Sequence, residues 1–397
     1  MAAIEQIRLG RMVIMVDDED RENEGDLVFA AEHVTADKIN FMAKEARGLI
    51  CLTLDPPLVD RLKLPLMAGT SAQDSGRMTA FTVSIEARDG VSTGISAFDR
   101  AHTIKVAVDD LSTPEDLVVP GHIFPLRAKC GGVLERAGHT EGSVDLARLA
   151  GVKPAGVICE IMRDDGAMAR RADLDDFSQK HSIPVVTIAD IINFRLLNES
   201  HVSIIGRRRI TSTHGIFEGV LFQNHVDGTC AFALVKGQQL EHAEVHVRVH
   251  NQRILEDVFS PRGTEEPSRI EFAMRMLSQH EHAVLVYLPD TMQKTHLLHQ
   301  LESMAVPDGQ NAKLAGHIKG TNNINEFDDT SRASHEKSGP KGRESAPMDI
   351  RVYGFGAQIL RALGVRRMVV HMNTPRALKA LGGFGLEIIN VQPITEL

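Results

Sequence analysis

Apolar and polar positions along the chain fall in short blocks rather than at one constant period. Met12–Val16 and Leu27–Ala31 are apolar runs that read as buried strands, with a charged loop between them. Over Ala36–Arg47 the apolar positions are Ile39, Met42, Ala43 and Ala46, a helical spacing, and Thr35 stands where an N-cap belongs. Leu49–Leu54 reads as a buried strand, Phe98–Val108 as a helix, and Glu141–Ala150 as a further helix capped by Thr140. Val157–Met162 (strand), Asp173–His181 (helix), Val185–Ile188 (strand) and Ile188–Leu197 (helix) complete the first half. Strands alternating with helices predict a layered α+β or α/β domain.

The pattern changes at a seam near Asn198–Val202. Val202–Arg209, Ile216–Asn224, Cys230–Val235 and Glu244–His250 predict successive strands with turn signals between them. Ser268–Gln279 (helix), Ala283–Leu288 (strand) and Thr291–Met304 (helix) follow. Pro307–Pro347 is polar and reads as a long loop or disordered insertion. Tyr353–Leu363 (helix), Met368–His371 (strand) and Pro375–Leu381 (helix) close the chain. Two domains are expected, residues 1–200 and 201–397, each α+β or α/β, with the polar insertion at 307–347 in the second.

Composition narrows the function class. Apolar residues are 43% and charged residues 24% of 397, ordinary globular usage that excludes a collagen, a coiled coil or a mainly disordered chain. Lys plus Arg is 44 against 53 Asp plus Glu, and a net charge of −9 argues against non-specific nucleic-acid binding. Cys51, Cys130, Cys159 and Cys230 form no C-x-x-C pair, so neither a disulfide scaffold nor a thiolate zinc site is expected. The chain shows no basic-then-apolar leader and no apolar run of about 18 residues. A cytoplasmic protein without membrane or nucleic-acid partners is the expectation.

Two clusters carry chemistry. Residues 17–26 read D-D-E-D-R-E-N-E-G-D, seven of the ten being acidic. The run is wedged between two apolar strands, and packed carboxylates that repel one another suit a hard divalent cation. Arg21 within it can pair with a carboxylate or a phosphate. The second cluster spans 120–142, P-G-H-I-F-P-L-R-A-K-C-G-G-V-L-E-R-A-G-H-T-E-G. His122 lies between Pro120, Gly121 and Pro125, which reads as a rigid loop. His139 precedes a helix start at Thr140, with Arg136 near, and such a helix end is a natural phosphate cradle. Glu160 lies in an apolar strand, where a carboxylate is paired, neutral or functional.

V-D-D-E-D-R-E-N-E-G-D-L (16–27), S-T-G-I-S-A-F-D-R-A (92–101), P-G-H-I-F-P-L (120–126) and R-A-G-H-T-E-G-S-V-D-L-A-R-L-A-G (136–151) together resemble 3,4-dihydroxy-2-butanone 4-phosphate synthase. The resemblance implies a layered α+β fold, a homodimer and a Mg²⁺- or Mn²⁺-dependent lyase. That enzyme converts D-ribulose 5-phosphate to 3,4-dihydroxy-2-butanone 4-phosphate and formate in riboflavin biosynthesis. It implies Glu22 and His139 as metal ligands and His122 and Glu160 as catalytic residues. Arg21, Glu22, Asp26, Thr93, Arg136, Ala137, Gly138, His139, Thr140 and Glu160 stand at or beside substrate-contacting positions.

In the second half V-H-V-R-V-H (245–250), D-V-F (257–259), D-I-R-V-Y-G-F-G-A-Q-I-L-R-A-L-G-V (349–365) and N-T-P (373–375) are similar to GTP cyclohydrolase II. That family carries a three-cysteine zinc site, but Arg253, Thr264 and Glu266 occupy the aligned positions. P-D-T (289–291) replaces the family's E-G-R segment, while Asp349 and Arg351 match its catalytic Asp and Arg as vestigial positions. The resemblance implies a degenerate domain that binds no zinc and supports or regulates the first. The alternatives are a bifunctional enzyme that also hydrolyses GTP, or a nucleotide-sensing module. His242, His246 and His250 recur every four residues, but on a strand His246 and His250 stand roughly 13 Å apart, too far to share one ion.

Overall fold

The computed structural model describes residues 2–19, 21–67, 79–259, 268–290, 297, 350–372 and 384–394. The expected helices at Thr291–Met304 and Pro375–Leu381, the polar stretch 307–347, and Thr264, Glu266 and Asp349 lie outside these residues. The chain divides into two units: residues 1–203 with 224–229, and residues 204–223 with 230–397. Among the described residues no helix is long and apolar enough to cross a membrane.

The first unit is built on a seven-stranded sheet. Its strands are β1 (Val13–Val16), β2 (Gly25–Ala30), β3 (Cys51–Leu54), β4 (Ile85–Ala87), β5 (Leu117–Arg127), β6 (Ala155–Glu160) and β7 (Val185–Thr187), in the order β4-β5-β3-β6-β2-β1-β7. Every residue of β1, β2 and β3 is buried, because helices cover both faces. That is why these strands read as unbroken apolar runs rather than as alternation.

Helices α1 (Ala2–Arg8), α2 (Ala36–Phe41), α3 (Pro56–Arg61), α4 (Ala97–Val108), α5 (His139–Leu149), α6 (Arg171–His181) and α7 (Ile188–Asn198) fill the layers. On one face Ile39 of α2, Met42 just after it and Ile104 of α4 pack with Ile14, Leu27, Phe29, Leu52 and Val157. Each such fully buried side chain contributes about 1.5–3 kcal/mol. On the other face lies α5, where Ser143 meets Thr53 of β3 at 2.7 Å. The Ala36–Arg47 segment is not one regular helix. Thr35 caps α2 by accepting from Lys38 N at 3.3 Å, but Met42–Ala46 is a π turn that ends at left-handed Arg47. The cap expected at Thr140 is corrected too. The helix begins two residues earlier, at His139, with Gly138 at the N-cap, where a Cβ would stand 2.4 Å from Arg136 Nη1.

The second unit holds another seven-stranded sheet. Its strands are β8 (Val202–Ser212), β9 (Gly215–Asn224), β10 (Cys230–Lys236), β11 (Glu244–Asn251), β12 (Ala283–Leu288), β13 (Arg367–His371) and β14 (Glu387–Gln392), in the order β14-β13-β11-β12-β10-β9-β8. Its β11, β12, β13 and β14 run parallel, whereas β9, β10 and β12 pair antiparallel. Helices α8 (Ile254–Phe259), α9 (Arg269–Leu277) and α10 (Ile350–Ala362) accompany it. Ala273 and Leu277 of α9 pack with Phe217, Leu234 and Leu285 in a buried cluster.

Candidate active site

The acidic loop is organised around its first residue. Asp17 has a fully buried side chain that accepts from Glu22 N at 3.1 Å, Glu24 N at 2.8 Å and Arg21 Nη1 at 2.7 Å. Arg21 Nη1 also donates to Glu22 at 2.8 Å, so one guanidinium bridges two carboxylates. Asn23 takes a left-handed φ of 54° at the turn, and Arg170 donates to the carbonyls of Glu22 and Asn23. The loop is therefore held by backbone bonds rather than left as a solvated charge run.

His139 opens α5 beneath this loop. It is buried, its ring bonds to the Met15 backbone, and its Nε2 has no hydrogen-bond partner. Burial pushes the imidazole below its ordinary value, so the neutral form carries a lone pair on that nitrogen. Ligand atoms of Asp17, Glu22 and His139 lie within 4.8 Å of one another. A buried imidazole lone pair facing two carboxylates fits a divalent cation, with half-exposed Glu22 leaving room for water or substrate oxygens.

Strand register brings the remaining carboxylates to the same place. Met15 pairs with Asp26 across β1–β2, and Asp26 pairs with Glu160 across β2–β6. Asp26 is buried, and burial together with the nearby Glu160 raises its carboxyl well above the usual range. Glu160 accepts from Leu49 N at 2.8 Å. That bond requires glycine before it, since a Cβ at Gly48 would stand 2.4 Å from the Glu160 carbonyl oxygen. The thiols of Cys51 and Cys159 are pushed up by burial and by these two carboxylates, which removes them as nucleophiles.

His122 joins the row from β5. Cys51 pairs with both Phe124 and Ile158, so the two-residue pleat sets His122 and Glu160 on one face, flanking Leu49. His122 is thus on an eleven-residue strand, not on the rigid loop that its flanking prolines suggested. Its Nδ1 lies 2.6 Å from Glu86 Oε2, and its own N–H donates to the same oxygen at 3.2 Å. Thr103 Oγ1 holds the other oxygen of Glu86 at 2.7 Å. The S-T-G-I-S stretch closes on this pair through Gly94, whose φ is +86° and whose Cβ would sit 2.1 Å from Glu86 Oε2. Thr93 beside it is exposed.

Arg136 is buried and already matched. Its Nη1 donates to Glu141 at 2.6 Å and its Nη2 to Thr79 at 3.1 Å. Burial nevertheless raises the Glu141 carboxyl, so the pair depends on the guanidinium staying in place. Ala137, Gly138 and Thr140 form the chain from this arginine into the first turn of α5, whose free N–H groups favour an anion.

In the second unit the corresponding polar cluster is closed on itself. Asp257 accepts from Tyr287 Oη at 2.8 Å and Arg253 N at 2.9 Å, and stands 3.0 Å from His250 Nε2. Burial opposes its charge, but these bonds outweigh it and hold the carboxyl below its ordinary value. The Arg253 side chain pairs with Glu256 at 2.8 Å. Arg351 lies in the first turn of α10.

Residues 1–194 match the family 3,4-dihydroxy-2-butanone 4-phosphate synthase, and residues 203–393 match GTP cyclohydrolase II. The riboflavin biosynthesis protein RibBA of Aquifex aeolicus is 47% identical over 394 residues, covering 99% of this chain and 91% of that one. The 3,4-dihydroxy-2-butanone 4-phosphate synthase of Pseudomonas aeruginosa is 41% identical, over 98% of this chain and 97% of its own. The chain belongs to the 3,4-dihydroxy-2-butanone 4-phosphate synthase family. A solved relative, RibBX of A. baumannii, described as a two-domain 3,4-dihydroxy-2-butanone 4-phosphate synthase, superposes with a TM-score of 0.74 at 38% identity over 98% of both chains. The two-domain layered fold class expected from the sequence holds in both halves of this synthase-family chain.

Of the residues singled out from the sequence, Arg21, Glu22, Asp26, His139 and Glu160 come together around the start of α5. His122 stands in the same row one strand further on. Two residues escaped the sequence reading. Asp17 was one acidic residue among seven, and nothing in the pattern marked it as the buried one. Glu86, 36 positions before His122, had no local signal.

Proposed function

We propose that the first unit converts D-ribulose 5-phosphate to 3,4-dihydroxy-2-butanone 4-phosphate and formate. Glu22 and His139, with Asp17 beside them, hold Mg²⁺ or Mn²⁺. The observation that carries this reading is the convergence of the acidic loop, the buried His139 lone pair and the Asp26–Glu160 pair at one helix N-terminus. The bound ion supplies Lewis-acid polarisation of the ketone and its neighbouring hydroxyls. Substrate and the two products contain the same atoms in sum, so neither water nor an electron carrier is consumed. What the chain must do is place the ketose and move protons.

The first turn of α5, with Arg136 behind it, orients the phosphate end, which fixes the reacting carbons against the row of acids. Asp26, whose carboxyl burial and the neighbouring Glu160 raise, passes a proton to and from the carbon skeleton and its hydroxyls, with Glu160 beside it on the adjacent strand. Glu86 holds His122 Nδ1, so Nε2 is the atom that exchanges a proton with substrate. The unit acts in riboflavin biosynthesis, in the cytoplasm and as a homodimer; sedimentation of the purified chain tests the assembly.

The second unit we read as non-catalytic, supporting or regulating the first. An activated water for GTP ring opening needs a catalytic zinc, and the aligned thiolate positions carry Arg253, Thr264 and Glu266. Arg253 is already paired with Glu256. The match of residues 203–393 to GTP cyclohydrolase II favours a second reading, a bifunctional enzyme. One assay separates them: purified full-length chain is given ribulose 5-phosphate with Mg²⁺, and separately GTP with zinc. The expected outcome is formate from the sugar phosphate, abolished by chelation, and none from GTP. No formate from the sugar phosphate under any divalent ion overturns the first assignment, and formate from GTP overturns the second.

A further inference from the structure

Three histidines distant in sequence meet on the sheet of the second unit. His246 lies on β11, His280 precedes β12, and His371 ends β13. His246 Nδ1 and His371 Nε2 are 2.9 Å apart, and the His246 and His280 rings stack at 3.4 Å between centroids. One ring nitrogen from each residue lies within 4.8 Å of the other two. The arrangement is fixed by the sheet: His246 N donates to the His282 carbonyl, and Arg248 Nη1 donates to the His371 carbonyl at 3.1 Å.

Two features separate this from ordinary packing. His371 is 2% exposed, yet its Nδ1 has no hydrogen-bond partner. Three imidazoles converge where one hydrogen bond would need only two. A neutral imidazole offers one ring-nitrogen lone pair, so each of the three can serve as a ligand. His246 and His280 are only half-buried, so one side of the trio is reached from solvent.

We propose that His246, His280 and His371 bind one divalent transition-metal ion of the zinc class, with a fourth position open to a solvent-derived ligand. A set of three imidazole nitrogens suits Zn²⁺, Co²⁺ and Ni²⁺, whereas Mg²⁺ takes mostly oxygen ligands. Metal–nitrogen bonds of about 2.0–2.1 Å in a tetrahedral site set the nitrogens about 3.3 Å apart. The His246–His371 pair is already near that spacing, and rotation of the half-buried His280 ring turns the stacked lone pairs into a fork. Arg248 beside His371 and Lys236 near His280 outnumber Glu244 near His246, and this local positive balance favours an anionic fourth ligand such as hydroxide. The site is not a rearranged version of the three-thiolate position. Arg253 follows the C-terminal end of β11, whereas His246 lies near its beginning.

The test uses the full-length chain, stripped with chelator and held in excess Mg²⁺ to occupy the carboxylate-rich site of the first unit. It is titrated with Co²⁺ alone, with visible absorption reporting nitrogen coordination and bound metal counted after dialysis. The expected result is one equivalent that His280→Gln and His371→Ala each lose, or bind at least about a hundredfold more weakly, and that Zn²⁺ displaces. Peptide-resolved hydrogen exchange over the second unit reports that each variant is folded. Should His371→Ala fail to fold, the half-buried His280→Gln decides alone. Unchanged stoichiometry and affinity in folded His280→Gln overturns the proposal, as does the absence of any Co²⁺ equivalent in the unaltered chain.

Discussion

Both units set a histidine against a carboxylate, and the two pairs end differently. In the first, Glu86 holds His122 by one nitrogen while the imidazole side chain stays 44% exposed. In the second, Asp257 takes His250, Tyr287 and the Arg253 backbone together, and the His250 side chain is 3% exposed. The local chemistry is the same. What differs is whether a nitrogen remains for something outside the protein. A carboxylate–histidine pair is a catalytic device only when its valence is left open; closed on a tyrosine and a backbone N–H, it is a rivet.

The largest way to break this comparison is to remove the cation site. Glu22→Ala or His139→Ala should lower formate production about a thousandfold or more, since Lewis-acid stabilisation supplies several kcal/mol. Steady-state turnover against Mg²⁺ concentration measures it, and near-normal turnover in either variant removes that residue from the site. Next, His122→Ala should lower kcat about 10²–10⁴-fold without unfolding the protein. His250→Ala should leave lyase kcat unchanged and cost about 1–3 kcal/mol of stability, the price of stranding a buried acceptor. Paired kinetics and denaturant titrations on the two variants decide whether the pairs differ as described.

A third test concerns a charge that looks like a ligand contact but is already used. Arg136→Ala leaves Glu141 buried without its partner, which should destabilise the fold by about 3–5 kcal/mol. The double change Arg136→Ala with Glu141→Leu should recover most of that stability while KM for the sugar phosphate stays raised. If the single variant is as stable as the parent, the buried pair contributes nothing and Arg136 acts on substrate alone.

The smallest effect is acid sensitivity at the end of α7. Arg195 and His201 hold Glu199 at about 2, against its burial. A carboxyl lowered in the folded state adds stability above its unfolded value near 4.5, and that stability is lost as pH falls toward 2. Glu199 is a third exposed, so the discounted contribution is about 1–2 kcal/mol. Glu199→Gln should flatten the acid limb of stability for the first unit and leave that of the second unit in place. Hydrogen exchange resolved by peptide distinguishes the two.

Much of this was legible in the chain because burial writes itself into composition. β1, β2, β3 and β6 are covered on both faces and appear as apolar runs. β5 was not read as a strand, because Pro120, Gly121 and Pro125 are loop punctuation by local rules. It survives because its neighbour β4 is only three residues long and bulged at Ile85/Glu86, so few ladder bonds are asked of it. The metal-facing candidates Glu22 and His139 stood out by motif. Asp17 and Glu86 did not, since which acid is buried, and which residue lies opposite His122, are decided by strand register rather than by neighbours in sequence. The same holds for His246. Its regular spacing with His242 and His250 was a property of the chain, while its meeting with His371, 125 positions away, is a property of the sheet.

The turn Asn224–Thr229, between β9 and β10, belongs to the first unit although both strands belong to the second. Within that first unit His225 N donates to the His201 carbonyl at 2.8 Å, and Val226 packs so closely that a Cβ at Gly131 would stand 2.7 Å from its Cγ1. The lyase unit is therefore not one continuous stretch of gene. A ribosome that has released residue 203 has not yet delivered all of it, and a proteolytic nick or gene fission at the apparent seam leaves a gap beside Gly131. Two enzymes joined end to end can be parted by evolution with a single stop codon. Here a stop at that seam removes residues 224–229 from the first unit, whatever chemistry the second has kept.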